Sequence, residues 1–152
     1  IAKLFWQMKD LGLQPNSNSM LSLIKGMSTS GHSEDSMMVL NAMKGDGVAN
    51  SQVIEKYGID IISGGIGNDR PMIQERHYTS AIMGCLRNGE LFPALKILNA
   101  MKLHGLEPNP TSLQGLIIAY CKLATDEASL ELKQARKSYS KKNKKALVPR
   151  LK

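Results

Sequence analysis

Apolar residues recur along this chain at helical rather than strand spacing. Met20, Leu23, Ile24 and Met27 stand at i, i+3, i+4 and i+7, the stripe that one face of an α-helix buries. Ser30-Gly31 then breaks the pattern. Ser33 is placed to cap a second helix carrying Met37, Leu40 and Met43, with Glu34 and Asp35 in a first turn where the helix dipole favours negative charge. Gly47 is expected to stop that helix in a left-handed conformation. The plan returns further on: Tyr78, Ala81, Ile82 and Cys85 mark one helix, Asn88-Gly89 a turn, and Glu90 to Lys102 the next. Pro93 falls in that helix's first turn, where a missing N–H costs little. A third unit opens at Thr111 with Leu113, Leu116, Ile117 and Tyr120, and Asp126-Glu127 is expected to start its second helix.

The units also match residue by residue. Val39-Leu40-Asn41-Ala42-Met43-Lys44-x-x-Gly47-Val48 recurs 58 residues later as Ile97-Leu98-Asn99-Ala100-Met101-Lys102-x-x-Gly105-Leu106. A weaker copy, Leu4-Phe5-x-x-Met8-Lys9-x-x-Gly12-Leu13, lies 35 residues before the first. Pro15-Asn16-Ser17-Asn18-Ser19 reappears as Pro108-Asn109-Pro110-Thr111-Ser112. The period is therefore 35, and the longer step holds one period plus an extra segment.

Helical hairpins of this length cannot bury their apolar faces alone and stack on their neighbours. The expected fold is all-α, an α-solenoid of antiparallel hairpins over residues 1–137, followed by a basic tail, 138–152. The array divides into a partial repeat 1–16, a repeat 17–51, an irregular insertion 52–74, a repeat 75–109 and a last repeat 110–137. The apolar start, Ile1-Ala2-Lys3-Leu4-Phe5-Trp6, reads as the middle of a second helix and leads us to expect further repeats upstream.

Charge changes the picture by its placement. The net +7 over 152 residues splits into +8 for residues 131–152, with nine Lys/Arg against Glu131, and −1 for the rest. Basicity thus belongs to the C-terminal end, where Lys141, Lys142, Lys144 and Lys145 read as an arm for phosphates, a nuclear-localisation-like cluster or a solvated end, the arm being the favoured reading. Such an arm adds affinity without base selectivity.

Other chemistry finds little support. His32, His77 and His104 share no metal-ligand spacing, and Cys85 with Cys121 reads as two core thiols. Gly64-Gly65-Ile66-Gly67 lacks the residues of a phosphate-binding loop and reads as a mobile connection, preceded by a short helix from a degraded repeat. The methionines, including Met8, Met43 and Met101, fall at core positions. No paired acid/base constellation stands out, so no enzyme activity, cofactor, metal or small-molecule substrate is expected, and no apolar run is long enough to span a membrane.

The 35-residue period and the Met-Lys-x-x-Gly-(Leu/Val)-x-Pro ending resemble pentatricopeptide repeats over residues 1–50 and 75–137, although Gly47-Val48-Ala49-Asn50 replaces the proline. The resemblance implies an organellar, mitochondrial protein that binds single-stranded RNA, each repeat reading one base with two or three side chains. It implies selecting pairs Leu21 with Ser51, Thr79 with Asn109, and Gln114 with a partner in the basic tail; the insertion is expected to displace Ser51. Thr79/Asn109 resembles a family pair that implies adenine. The flanking residues it implies are Asn18, Arg76 and Thr111. An alternative reading is a protein-binding scaffold, such as a subunit of a mitochondrial ribosome or another ribonucleoprotein assembly.

Overall fold

The computed structural model describes residues 2–63 and 72–146. Among them the fold is all-α, with helices α1 (Ala2–Asp10), α2 (Ser17–Thr29), α3 (Ser33–Lys44), α4 (Gly47–Tyr57), α5 (Glu75–Arg87), α6 (Leu91–Leu103) and α7 (Pro110–Ala146). The glycine run Gly64-Gly65-Ile66-Gly67 and residues 147–152 of the basic tail lie outside the described residues. The chain forms two compact units, residues 1–116 and 117–152.

In the first unit, α2 and α3 form one antiparallel hairpin and α5 and α6 another, and the hairpins stack with α2 directly against α5. The expected stripes do the burying. Met20, Leu23, Ile24 and Met27 of α2 meet Tyr78, Ala81, Ile82 and Cys85 of α5, and all eight are at most 4% exposed. Burying each large apolar side chain of this kind contributes about 1.5–3 kcal/mol. Val39, Leu40 and Met43 of α3 and Ala94, Ile97 and Met101 of α6 complete the core, while Met8 is half-buried.

The hairpins approach closely at Gly84. A Cβ built there would lie 2.3 Å from Cβ of Ser28 and 3.0 Å from its carbonyl carbon. Ser28 itself turns its hydroxyl back to the Ile24 carbonyl at 2.8 Å, and its own carbonyl accepts from Nδ2 of Asn88 at 2.7 Å. Glycine at 84 is thus what lets the two helix backbones touch.

Two helix boundaries differ from expectation. The left-handed stop after Lys44 is Gly45 (φ 112), not Gly47, which is the first residue of α4. The cause is Asp46, whose carboxylate accepts from the backbone N–H groups of Val48 and Ala49 at 2.9 and 3.2 Å and so starts a new helix. Ser33 opens α3 but does not cap it; His32 holds that place without a side-chain bond.

α4 therefore begins before residue 52 and packs on α3 and α1. Val53 and Tyr57 face inward, as do Ile59 and Ile61 beyond it. Asp35 does more than offset the α3 dipole. Its carboxylate takes Nζ of Lys56 at 2.7 and 2.8 Å and the hydroxyl of Tyr57 at 2.7 Å. Burial pushes the Asp35 carboxyl up, but the Lys56 and Tyr57 hydrogen bonds outweigh it and hold the group below its usual value. Asn50 closes the following turn, donating to Asp60 and accepting from the Ile61 N–H, both at 2.9 Å.

The expected helix start at Asp126-Glu127 is absent: α7 runs unbroken from Pro110 to Ala146. No glycine or proline interrupts it after Gly115, and Ala, Leu, Lys and Glu continue it readily. Within the first unit α7 rests on α5, with Gly115 beside Met83 and Leu86. The second unit is the remainder of α7. Cys121, expected in a core, is exposed there, because no antiparallel partner helix follows among the described residues.

Candidate nucleic-acid interface

The residues before and within the first turns of α2, α5 and α7 occupy equivalent places. Asn16 caps α2, its side-chain oxygen accepting from the N–H groups of Asn18 and Ser19 at 3.0 and 2.9 Å. Asn109 precedes α7 and accepts from the Ser112 N–H at 2.9 Å. Gln74 precedes α5. Thus Gln74, rather than Ser51, holds the place ahead of α5 that Asn109 holds ahead of α7. Ser51 sits inside α4 with its hydroxyl on the Gly47 carbonyl at 2.9 Å.

Thr79 and Asn109 do converge, through a third residue. Oγ1 of Thr79 donates to Oε1 of Glu75 at 2.7 Å, and Nδ2 of Asn109 donates to the same oxygen at 2.6 Å. Glu75 opens α5, so Thr79 lies one turn on along the same face. Asn109 arrives from the end of its repeat, held by its cap on α7. All three are half-buried.

Next to this trio, α5 is tied to the start of α2. Nη2 of Arg76 donates to Oγ of Ser17 at 3.2 Å. His77 is fully buried, and its Nδ1 accepts from the Gln74 N–H at 3.0 Å. That contact assigns the ring proton to Nε2, which faces the Ser17 carbonyl at 3.1 Å. His77 is therefore a buried strut that links the start of α5 to the start of α2. On α6's end, the Tyr78 hydroxyl and Nδ1 of His104 are hydrogen-bonded. Burial first, and Lys44 second, keep the His104 imidazole below its usual pKa.

The remaining expected residues are scattered more loosely. Asn18, Arg76, Thr111 and Gln114 are exposed at the starts of α2, α5 and α7, and Leu21 is half-buried on α2. Arg76 keeps its exposed position while reaching Ser17. Lys141, Lys142, Lys144 and Lys145 stand in the last turns of α7, and their side chains lie outside the described residues. Sequence reasoning missed Glu75 and Gln74. The available signals were the i, i+4 spacing of Glu75 and Thr79, and the 35-residue step from Gln74 to Asn109.

Among the described residues, no three His, Cys, Asp or Glu side chains group as a metal site, and no helix is long and apolar enough to cross a membrane. The family profile described as a pentatricopeptide repeat domain matches residues 3–53, and the profile described as a PPR repeat matches residues 76–106. Together they cover just over half of the chain. Curated protein sequences give no match.

Proposed function

The chain belongs to the pentatricopeptide repeat family, and on that premise we propose that it binds single-stranded RNA without catalysis in mitochondrial RNA processing, stability or translation. Proteins of this family are generally non-catalytic RNA-binding repeat proteins. The observation that supports the proposal is the convergence of Thr79 and Asn109 on one atom, Oε1 of Glu75, which brings a hydroxyl and an amide side by side. Both groups can donate and accept, as base-edge reading requires. Arg76, exposed beside them, offers a guanidinium for stacking or for phosphate. Asn18, Thr111 and Gln114 extend the exposed polar row, and the lysines of the tail add phosphate contact.

The test is to compare A-rich with U-rich oligoribonucleotides before and after Thr79→Asn with Asn109→Asp. The expected result is a weakened preference for the A-rich strand in the double variant. An unchanged preference refutes base reading by this pair.

A second reading, a scaffold for proteins within a ribonucleoprotein assembly such as a mitochondrial ribosome, is favoured by one observation. The second unit exposes Ile117, Ile118, Tyr120, Leu130 and Leu132, each at least 48% accessible. Removing residues 138–152 and titrating RNA against salt separates the two. If RNA affinity vanishes with the tail, the scaffold reading holds and the repeat body does not bind RNA.

A further inference from the structure

Glu75 joins the two residues of the Thr79/Asn109 pair. Its Oε1 lies 2.7 Å from Oγ1 of Thr79 and 2.6 Å from Nδ2 of Asn109, so one carboxylate oxygen takes a donated hydrogen from both groups of the pair. Part of the acceptor capacity of Asn109 is also engaged, since its Oδ1 caps α7 through the Ser112 N–H. While Glu75 holds them, the Thr79 hydroxyl hydrogen and one Asn109 amide hydrogen are withheld from a base. A hydrogen bond to an ionised acceptor is stronger than one to a neutral base oxygen or nitrogen, and a carboxylate also repels the phosphates that accompany a base.

We infer that Glu75 is an internal ligand of the Thr79/Asn109 site, occupying it in the free protein and leaving it when a base binds. The inference rests on the RNA-binding reading above and names a residue that sets the affinity and selectivity of that site. Its side chain can move: Glu75 is half-buried, lies at the start of α5, and retains the mobile carboxylate of a three-torsion side chain. Swinging Oε1 to solvent frees one hydroxyl and one amide hydrogen at once. A base then gains those two contacts but must first break the two made by the carboxylate, which lowers the apparent affinity of the site.

The alternative role, a brace that holds Thr79 and Asn109 in place for the base, predicts the opposite sign. Removal of the carboxylate strengthens binding if Glu75 competes and weakens it if Glu75 braces.

The experiment titrates the purified protein and its Glu75→Ala and Glu75→Gln variants with oligoadenylate and with an abasic oligomer of the same length. All three are repeated in a Thr79→Ala, Asn109→Ser background, in which the introduced hydroxyl can still cap α7. The expected result is that Glu75→Ala binds oligoadenylate about three- to tenfold more tightly, the size of one or two net hydrogen bonds released from competition. Glu75→Gln, with a neutral but similarly shaped side chain, gains less. Neither variant gains appreciably on the abasic strand, and the gain disappears in the double-variant background.

Weaker or unchanged binding by Glu75→Ala overturns the inference, the first outcome assigning a bracing role. An equal gain on the abasic strand, or one that persists in the double-variant background, also overturns it, by reducing Glu75 to general repulsion of phosphate. The reading beneath it fails separately: if Thr79→Ala with Asn109→Ser alone leaves oligoadenylate affinity unchanged, the pair does not read a base and Glu75 has no site to occupy.

Discussion

Gly84→Ala tests whether the stacking of first helices is set by backbone contact. Taken as an isolated helix position, the change is favourable, because alanine exceeds glycine in helix propensity by about 0.8–1.0 kcal/mol. The packing says otherwise. The new methyl carbon would lie 2.3 Å from Ser28 Cβ, 3.0 Å from the Ser28 carbonyl carbon and 3.2 Å from the Thr29 nitrogen. Carbon atoms pack comfortably at about 3.5–4.0 Å, so α2 and α5 must part by about 1 Å. Two of the three atoms are backbone, so a rotamer change gives no relief. Overpacking of this kind costs about 1–3 kcal/mol. The Asn88 to Ser28 hydrogen bond, now 2.7 Å, lengthens as well, at about 0.5–1.5 kcal/mol. The balance is a loss of about 1–3 kcal/mol, a fall in Tm of roughly 2–4 °C for each kcal/mol in a chain of this size. Thermal unfolding followed by circular dichroism measures it. Gly47→Ala is the control, since nothing lies within 4 Å of a Cβ there, and it is expected to keep or raise the Tm. A Gly84→Ala protein as stable as the parent would show that the hairpins slide apart freely and refute the contact.

Asp35→Ala is expected to loosen α4. The exposed Lys56 end of the ion pair contributes at most about 1 kcal/mol, but the Tyr57 hydroxyl, left without its acceptor, costs about 1–3 kcal/mol. Hydrogen exchange of α4 amides reads the effect, and unchanged protection would discount the tether. Because the folded carboxyl is held below its ordinary value, its contribution is present above about pH 4 and is lost as pH falls through the lower, folded value. Acid-induced loosening of α4 in that window should therefore vanish in Asp35→Ala. A thiol reagent at mildly alkaline pH should modify Cys121 at once and Cys85 only on unfolding, as burial, helped by Glu90, pushes the Cys85 thiol up to about 11. Labelling of two thiols in the native protein would contradict the packing of α5.

The hairpins were legible because their chemistry repeats in register. Met20, Leu23, Ile24 and Met27 map onto Tyr78, Ala81, Ile82 and Cys85 at a constant step, and the periodicity of each set already named its buried face. The end of α3 was ambiguous for a physical reason: Lys44-Gly45-Asp46-Gly47 offers two glycines able to adopt the left-handed turn. The choice falls to Asp46, whose capping value depends on a helix that the repeat pattern does not contain. The unbroken α7 escaped notice because acidic residues at 126 and 127 suit either a helix start or a helix interior. Thr79 and Asn109 could be named only through the family resemblance, while Glu75 is an ordinary helix-start acid until a residue 34 positions away is brought onto its carboxylate.

The insertion shows how a repeat can be interrupted without losing its row of first helices. α4 buries its own apolar residues on α3, is tied there by Asp35, and has its exit turn closed by Asn50. None of those contacts uses the face of α2 that meets α5, so the two first helices remain in direct contact as though residues 47–74 were absent. His77 makes the junction specific, bonding at once to Gln74 ahead of α5 and to Ser17 at the start of α2. The places next to the first helices are thus kept in order, as Asn16, Gln74 and Asn109, while their chemistry is not. Leu21 on α2 has no hydrogen-bonding group to set beside Gln74, whereas Thr79 and Asn109 supply two donors to a common point. If the chain reads RNA as proposed, its selectivity is concentrated at the step between α5 and α7, where two donors are brought to a common point on Oε1 of Glu75.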